Sequence, residues 1–172
     1  GEGFCLYNDI AVAVRALQAE GAIERVAVVD LDVHHGNGTA AIFADDDEVF
    51  TFSMHQQNNY PFVKPPSDLD IALEDGTADG EYLGLLETAL TDVLRESMPE
   101  LIVYLAGADP YVHDQLGGLS LTLEGLRRRD RMVLERSAER SVSIAVLMAG
   151  GYAHKLEDTV SIHVATVEEA VA

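Results

Sequence analysis

The sequence lacks the features that would tie the chain together covalently or hold it in a membrane. Its single cysteine, Cys5, excludes an intrachain disulfide and makes a reducing compartment the simpler expectation. No apolar run approaches the roughly 18 residues of a membrane-spanning helix, and the first residues lack the basic and apolar regions of a signal peptide. We therefore expect a cytoplasmic protein with no membrane partner.

Basic residues are also scarce. Thirty acidic residues oppose 11 basic ones, which gives a formal net charge of −19. A field of this sign repels phosphate backbones and argues against direct nucleic-acid binding. Cationic substrates remain possible, although adaptation of the surface to high salt explains the acidity at least as well.

Short apolar runs alternate with helical patterns along the chain. Four runs predict strands buried on both faces: Arg25–Asp30, Val49–Ser53, Leu101–Leu105 and Ile144–Met148. Helices are predicted from Ile10 to Leu17, from Tyr82 to Met98 and from Leu123 to Arg140, with caps at Asn8 or Asp9, at Asp79 and at Thr122, and a terminator at Gly21. The alternation predicts an α/β protein, an open parallel sheet with helices on both faces, in one domain over residues 1–172.

Two segments fall outside this alternation. Gln56 to Asp70 contains three prolines and has no periodicity, which predicts a long loop with a functional role. Four arginines inside the last predicted helix indicate a solvated helix face: Arg127, Arg128, Arg129 and Arg131.

Polar or glycine-rich clusters follow each predicted strand. They are Asp30–Gly38, Ser53–His55, Ala106–Asp109 and Ala149–Tyr152. Because the carboxyl ends of parallel strands line one edge of a sheet, where ligands bind, we expect the four clusters to converge. The glycines at 36, 38, 150 and 151 are expected to permit sharp turns there.

Asp32 and His34 are spaced to share one ion. Side chains two residues apart at a strand end point the same way, and Asp109 follows another strand as a third candidate ligand. One imidazole and two carboxylates suit zinc or another borderline divalent metal better than calcium or magnesium. For zinc, three protein ligands leave a position for water. The alternative is a turn-capping Asp32 and an ordinary loop histidine. Tyr152 could stabilise an oxyanion at the same edge, or simply satisfy a backbone group.

Five segments resemble the histone deacetylase superfamily, which includes acetylpolyamine amidohydrolases and acetoin-utilisation proteins. They are Gly3–Asp9, Asp30–Gly38, Gly107–Asp109, Asp114–Gly118 and Gly150–Tyr152, in matching order and spacing. Tyr60–Phe62 and Leu116–Ser120 look most like the bacterial or class IV branch. The resemblance implies an arginase/deacetylase-like fold, of which this chain would be the C-terminal part of the catalytic domain, incomplete at the N-terminus.

The resemblance also implies a role for each matching residue. Asp32, His34 and Asp109 would bind one zinc ion, and Tyr152 would polarise the acyl carbonyl. Residues around a structural monovalent cation, usually potassium, or in supporting positions would be Asp30, Asp32, His34, Ser53, Met54 and Asn37. The substrate channel would be lined by Gly3, Phe4, Tyr60, Leu116 and Gly151.

The sequence departs from the family pattern at two positions and lacks one element. Asn37 stands where several members carry an aspartate that pairs with an active-site histidine, and Gln115 replaces a common arginine. The family's histidine pair, which supplies the general base, would lie upstream of Gly1, so we expect little turnover from this chain. His35 is expected to be structural, whereas His113, His154 and His163 are expected in loops or at the surface.

The leading hypothesis is a zinc-dependent amidohydrolase acting on acetylated lysine peptides or acetylated polyamines. A non-catalytic acyl-lysine- or metal-binding domain of the same fold is one alternative, and an arginase-type binuclear manganese hydrolase is another. The sequence leaves open the choice between protein and polyamine substrates, the acyl chain and the oligomeric state.

Overall fold

The computed structural model describes residues 3–172. Its elements in chain order are α1 (Asp9–Ala19), β1 (Val26–Asp30), α2 (Asn37–Phe43), β2 (Val49–Gln56), β3 (Leu69–Leu73), α3 (Asp79–Ser97), β4 (Leu101–Ala106), α4 (Leu123–Arg140), β5 (Ser143–Met148) and α5 (Leu156–Ala170). None of the described helices combines the length and the apolar character needed to cross a membrane.

All five strands are parallel and form one sheet in the order β3-β2-β1-β4-β5. β1 lies at the centre, where Asp30 is in register with Ser53 of β2 and with Leu105 of β4. Every residue of β1 is buried, as expected for a strand covered on both faces. The predicted parallel α/β sheet is confirmed.

Helices cover both faces of the sheet. Ala27 and Val29 of β1 belong to a core shared with α3, α4 and Ile162 of α5. The alternate residues Val26 and Val28 belong to a second core, which includes α1 and Phe43 of α2. Because successive side chains of a strand point to opposite faces, these two cores define the predicted three layers.

The observed helix ends test the capping residues predicted from the sequence. Asn8 caps α1 by accepting a hydrogen bond from Ala11 N, and Gly21, with φ +67°, follows its C-terminus in the left-handed conformation. Thr122 caps α4, as predicted. The prediction of Asp79 as a cap is wrong, because Asp79 is the first residue of α3 and its carboxylate accepts hydrogen bonds from Thr122 N and Oγ1.

Three elements were not predicted from the sequence: β3, α2 and α5. The segment predicted as a loop from Gln56 to Asp70 starts inside β2 and ends inside β3. β3 is a five-residue edge strand with alternating exposure, and α2 has only seven residues, so neither offers a long periodic pattern. In α5 only Ile162 and Thr166 are fully buried, which leaves a weak apolar stripe.

The arginine cluster of α4 is not one solvated face. Arg127 and Arg131 form ion pairs with Glu169 of α5, and Arg128 is exposed. Arg129 is completely buried and pairs with the buried Asp130 at 2.7 Å. The interpretation of Arg129 as solvated is therefore wrong, because its position falls on the core-facing side of the helix.

Replacing Arg129 with methionine is expected to lower the free energy of unfolding by about 3–5 kcal/mol, since the change leaves Asp130 as a buried charge without its partner. Urea denaturation measures the difference. Arg128→Met removes the same charge from the exposed face and should change stability by less than about 0.5 kcal/mol. Equal effects of the two substitutions would contradict the assigned burial.

Candidate active site

The carboxyl ends of β1, β4 and β5 meet at one edge of the sheet. The loop after β1 carries Asp32 and His34, the turn after β4 carries Asp109, and the turn after β5 carries Gly150. Ala108 N donates a hydrogen bond to Gly150 O at 2.5 Å, which joins the second and third of these loops. The strand order thus places residues distant in sequence beside one another.

Asp32, His34 and Asp109 form a compact group, which we call the Asp-His-Asp cluster. His34 Nδ1 lies 2.9 Å from Asp32 Oδ1 and 3.3 Å from Asp109 Oδ2. One possible ligand atom from each residue lies within 4.8 Å of the other two. The structure therefore brings together the three residues that the sequence suggested as metal ligands.

Backbone amides orient both carboxylates of the cluster. Asp32 accepts hydrogen bonds from His34 N at Oδ1 and from Gly150 N at Oδ2, at 2.9 and 2.8 Å. Asp109 Oδ1 accepts one from Val33 N at 2.9 Å, while its Oδ2 is buried and has no hydrogen bond within the described residues. A buried carboxylate oxygen that makes no hydrogen bond fits a cation ligand.

The pKa values describe a site with excess negative charge. Burial raises the pKa of Asp109 to about 7, an effect that the charge of Asp32 reinforces and the adjacent His34 opposes. Burial also raises the pKa of Asp30 well above its usual value, with Asp32 contributing. Burial alone would lower the pKa of His34, but Asp109 and Asp32 outweigh it and raise this pKa to about 10. Three carboxylates thus face one imidazole, an arrangement that a divalent cation would stabilise.

Close approach explains glycine at three of the four positions near this edge, Gly36, Gly150 and Gly151. Gly36, Gly38, Gly150 and Gly151 all lack a positive φ, and a Cβ at Gly38 would meet only Asn8 Nδ2 at 3.6 Å. A Cβ at Gly36 would overlap Asp30 Oδ2. A Cβ at Gly150 would overlap Asp109 Oδ2 and lie 2.7 Å from Asp32 Oδ2. The backbone therefore lies directly against the carboxylates.

Tyr152 is held by its backbone from the neighbouring loop. Its N–H donates to Asp114 Oδ2 at 2.6 Å, and its carbonyl accepts from Gln115 N and Nε2 at 3.1 and 2.9 Å. Burial raises the pKa of Tyr152, with Asp109 and Asp32 contributing. The phenol is therefore a hydrogen-bond donor at neutral pH.

A family model described as the histone deacetylase domain matches residues 1–167. The chain belongs to the histone deacetylase family. It is 47% identical over 163 residues to an uncharacterized protein of Picosynechococcus, covering 95% of this chain and 54% of that protein. A probable deacetylase of Archaeoglobus fulgidus is 34% identical, with 88% of this chain and 45% of that protein covered.

Solved structures agree with this membership. The crystal structure of an acetylpolyamine aminohydrolase from Burkholderia pseudomallei aligns with a TM-score of 0.86 and 27% identity, over 100% of this chain and 52% of that one. The deacetylase-like fold inferred from the resemblance is confirmed. The chain spans about half the length of each of these three proteins.

The residues that the resemblance to deacetylases assigned to the substrate channel are mostly exposed. The Phe4 ring lies 6.1 Å from the Tyr152 ring, and Phe4, Tyr60 and Leu116 are 89%, 40% and 44% exposed. Asn59 Nδ2 donates to Leu116 O at 2.7 Å, which joins the segments of Tyr60 and Leu116. Gly3 begins the described chain with φ +57°. A Cβ at Gly151 would meet the side chains of Thr159 and Ala108, which indicates packing beneath the site.

The residues assigned to a monovalent-cation site or to support, other than Asp32 and His34 of the loop after β1, lie on β1, β2 and α2. Asp30 and Ser53 are register partners, and Asp30 Oδ1 accepts a hydrogen bond from Asp32 N at 3.1 Å. Met54 is fully buried. Asn37 is the first residue of α2, and its N–H donates to His35 O.

Sequence reasoning missed Arg129 as a residue of the site. Its Nη1 donates to Gly107 O at 2.6 Å and to Leu31 O at 3.4 Å, so one buried guanidinium contacts the backbone beside both Asp109 and Asp32. The apolar stripe of α4 could have indicated this burial, because Arg129 is three residues after Leu126 and four before Val133.

The other histidines are placed as follows. His113 and His154 are exposed loop residues, as expected. His163 lies in α5 and is half-buried, so its assignment to a loop or the surface is wrong. His35 and His55 contact each other. None of these histidines makes a hydrogen bond or ion pair with the Asp-His-Asp cluster within the described residues.

Proposed function

We propose that this protein is a zinc-dependent amidohydrolase that removes acetyl or related acyl groups from acyl-lysine or acetylated polyamines. The supporting observation is the Asp-His-Asp cluster, in which a buried oxygen of Asp109 makes no hydrogen bond within the described residues and lies 3.3 Å from His34 Nδ1. When bound, zinc would polarise the acyl carbonyl and lower the pKa of a water molecule.

The chain's own residues would orient the substrate and stabilise charge. Tyr152, protonated because its pKa is raised, would donate its hydroxyl hydrogen to the oxygen that becomes negative in the transition state. Asp114 and Gln115 hold the Tyr152 backbone, which fixes the base of the side chain before substrate arrives. Phe4, Tyr60 and Leu116 offer apolar surface to the methylene chain of the substrate.

A structural potassium ion near Asp30 and Ser53 belongs to the same proposal. Asp30 is a buried carboxylate whose pKa is raised by burial and by Asp32, so a nearby cation would stabilise its charged form. Ser53 lies beside Asp30 in the sheet. Oxygen donors of this kind suit a hard cation.

Acidic side chains near Tyr60 could attract a polycationic amine substrate, but the two acidic residues there, Asp68 and Asp70, give no support for a polyamine over a lysine peptide. Asp68 accepts hydrogen bonds from Thr51, and Asp70 lies 3.2 Å from His35. Both carboxylates are therefore engaged within the protein. The general base is expected from the histidine pair that family resemblance places upstream of Gly1.

In a chain extended at its N-terminus to carry the family's histidine pair, replacing Tyr152 with phenylalanine is expected to lower kcat for acetyl-lysine peptide hydrolysis about 100-fold, because a donor to the oxyanion is lost. Zinc content, measured by elemental analysis, should stay the same, since Tyr152 is not a proposed ligand. Acetylated spermidine, assayed in parallel, compares the two substrate classes. An unchanged kcat would contradict the role of Tyr152.

The zinc part of the proposal is tested on the same preparations. Removing metal with a chelator should abolish hydrolysis, and adding zinc back should restore it. Hydrolysis that continues without zinc would exclude the proposed chemistry.

A further inference from the structure

We propose a second divalent-metal site, separate from the Asp-His-Asp cluster, formed by His35, His55 and Asp70. We call this group the His-His-Asp cluster. Its donors are two imidazoles and one carboxylate, a set that suits zinc among the common divalent ions.

Sheet register brings the three residues together. Asp70 of β3 is paired with Ser53 of β2, and His55 is two residues after Ser53, so Ser53, His55 and Asp70 share one face of the sheet. His35 reaches this face from the loop between β1 and α2. Three separate segments therefore contribute one donor each.

The distances fit a shared ion. One ring nitrogen of each histidine and one oxygen of Asp70 lie within 4.8 Å of one another. His35 Nε2 is 3.2 Å from Asp70 Oδ1, longer than the usual 2.7–2.9 Å of a charge-assisted hydrogen bond. Two ligands about 2.0–2.1 Å from a tetrahedral zinc are roughly 3.3 Å apart, which agrees with the observed separation.

Burial gives these imidazoles few other partners. The side chain of His35 is 0% exposed, and His55 is 2% exposed. Their rings pack edge to face with centroids 4.6 Å apart. His35 Nε2, the nitrogen that faces Asp70, has one further contact, with Ser67 Oγ at 3.5 Å. The proposed ion would bind this nitrogen, whose contacts among the described residues are no shorter than 3.2 Å.

Neighbouring groups orient two of the three proposed ligands. Ser53 Oγ lies 3.0 Å from His55 Nδ1, which leaves the other ring nitrogen of His55 for an ion. Ser67 N donates to Asp70 Oδ2 at 2.8 Å, which leaves Oδ1 facing His35. Hydrogen bonds to the far atom of each ligand are typical of metal sites. Asp70 keeps 30% of its side chain exposed, which provides a path from solvent.

A metal ion here would join the loop after β1 to β2 and β3. It would thereby fix both ends of the segment 57–68, which carries Tyr60 and Phe62. The site shares no ligand with the Asp-His-Asp cluster, so each of the two can bind or fail to bind independently.

The test is the metal stoichiometry of the purified chain after chelator treatment, reloading with zinc and removal of the excess, with potassium present throughout. We expect two zinc ions per chain. Asp70→Asn should retain one, whereas Asp68→Asn, a matched loss of charge two residues away, should retain two. His55→Gln provides a second variant at the site, and melting curves verify that each variant is folded.

The absorption spectrum of the cobalt-loaded chain gives a second readout, independent of the zinc stoichiometry. A folded chain loaded with cobalt should show visible absorption from two tetrahedral sites, and Asp70→Asn should remove one component. The proposal is overturned if Asp70→Asn and His55→Gln bind as much zinc as the unaltered chain. If a single ion is bound and Asp70→Asn removes it, the second site stands and the zinc site of the proposed function fails instead.

Discussion

An Asp109→Asn variant is expected to bind zinc at the Asp-His-Asp cluster about 100- to 1,000-fold more weakly than the unaltered chain. The asparagine can still accept the hydrogen bond from Val33 N through its oxygen, which turns its NH2 group toward the position of Oδ2. An NH2 group donates hydrogen bonds and cannot bind a cation. Structural zinc sites gain about 10–16 kcal/mol from four ligands, so one ligand contributes about 2.5–4 kcal/mol.

The affinity is measured by competition with a chelator of known strength. Asp92→Asn removes a partly exposed charge from α3 and should leave zinc affinity unchanged. The fold should tolerate Asp109→Asn, because burial already raises the pKa of Asp109 and brings its neutral form within reach. Equal zinc affinities for the two variants would remove Asp109 from the ligand set.

A Gly150→Ala variant is expected to lose zinc at the same cluster although it changes no ligand. The new methyl group would overlap Asp109 Oδ2 and crowd Asp32 Oδ2, so both carboxylates would have to move. The hydrogen bond from Gly150 N to Asp32 would be disturbed as well. We expect at least about 100-fold weaker zinc binding and a free energy of unfolding lowered by about 1–3 kcal/mol.

Gly84→Ala is the matched control. Gly84 lies in α3, and a Cβ there meets nothing within 4 Å. This substitution should raise stability by about 0.5–1 kcal/mol, because glycine is the poorer helix former. Zinc affinity should not change. If Gly150→Ala kept full zinc affinity, the carboxylates would not be positioned by that backbone.

The central strands could be predicted from sequence because burial on both faces produces uninterrupted apolar runs. Val26–Asp30 and Leu101–Ala106 are such strands. β3 could not be recognised in the same way, because the exposure of its residues alternates only twice along an edge strand of five residues. α5 packs mainly against α4, so few of its residues needed to be apolar.

The convergence of Asp32, His34 and Asp109 could be predicted because it follows from a general property of parallel sheets. The structure brings these side chains together as that rule requires. Their roles as zinc ligands remain a proposal. The His-His-Asp cluster was not foreseen, because it depends on the pairing of β2 with β3, and β3 itself was missed.

Arg129 was assigned to the wrong face because the clustering of arginines was given more weight than the helical period. Four arginines within five residues indicated a solvated face, yet the helical period places Arg129 and Asp130 on the same side as Leu126 and Val133. The buried ion pair then supports the backbone under the site. Periodicity was the better guide, because it reports which face of the helix meets the core.

The central claim is that Asp32, His34 and Asp109 share one cation, and anomalous diffraction from crystals of the zinc-loaded protein tests it most directly. We predict an anomalous peak about 2.0–2.2 Å from a carboxylate oxygen of Asp32, a ring nitrogen of His34 and a carboxylate oxygen of Asp109. Zinc-loaded crystals that show no peak among these three side chains would contradict the account.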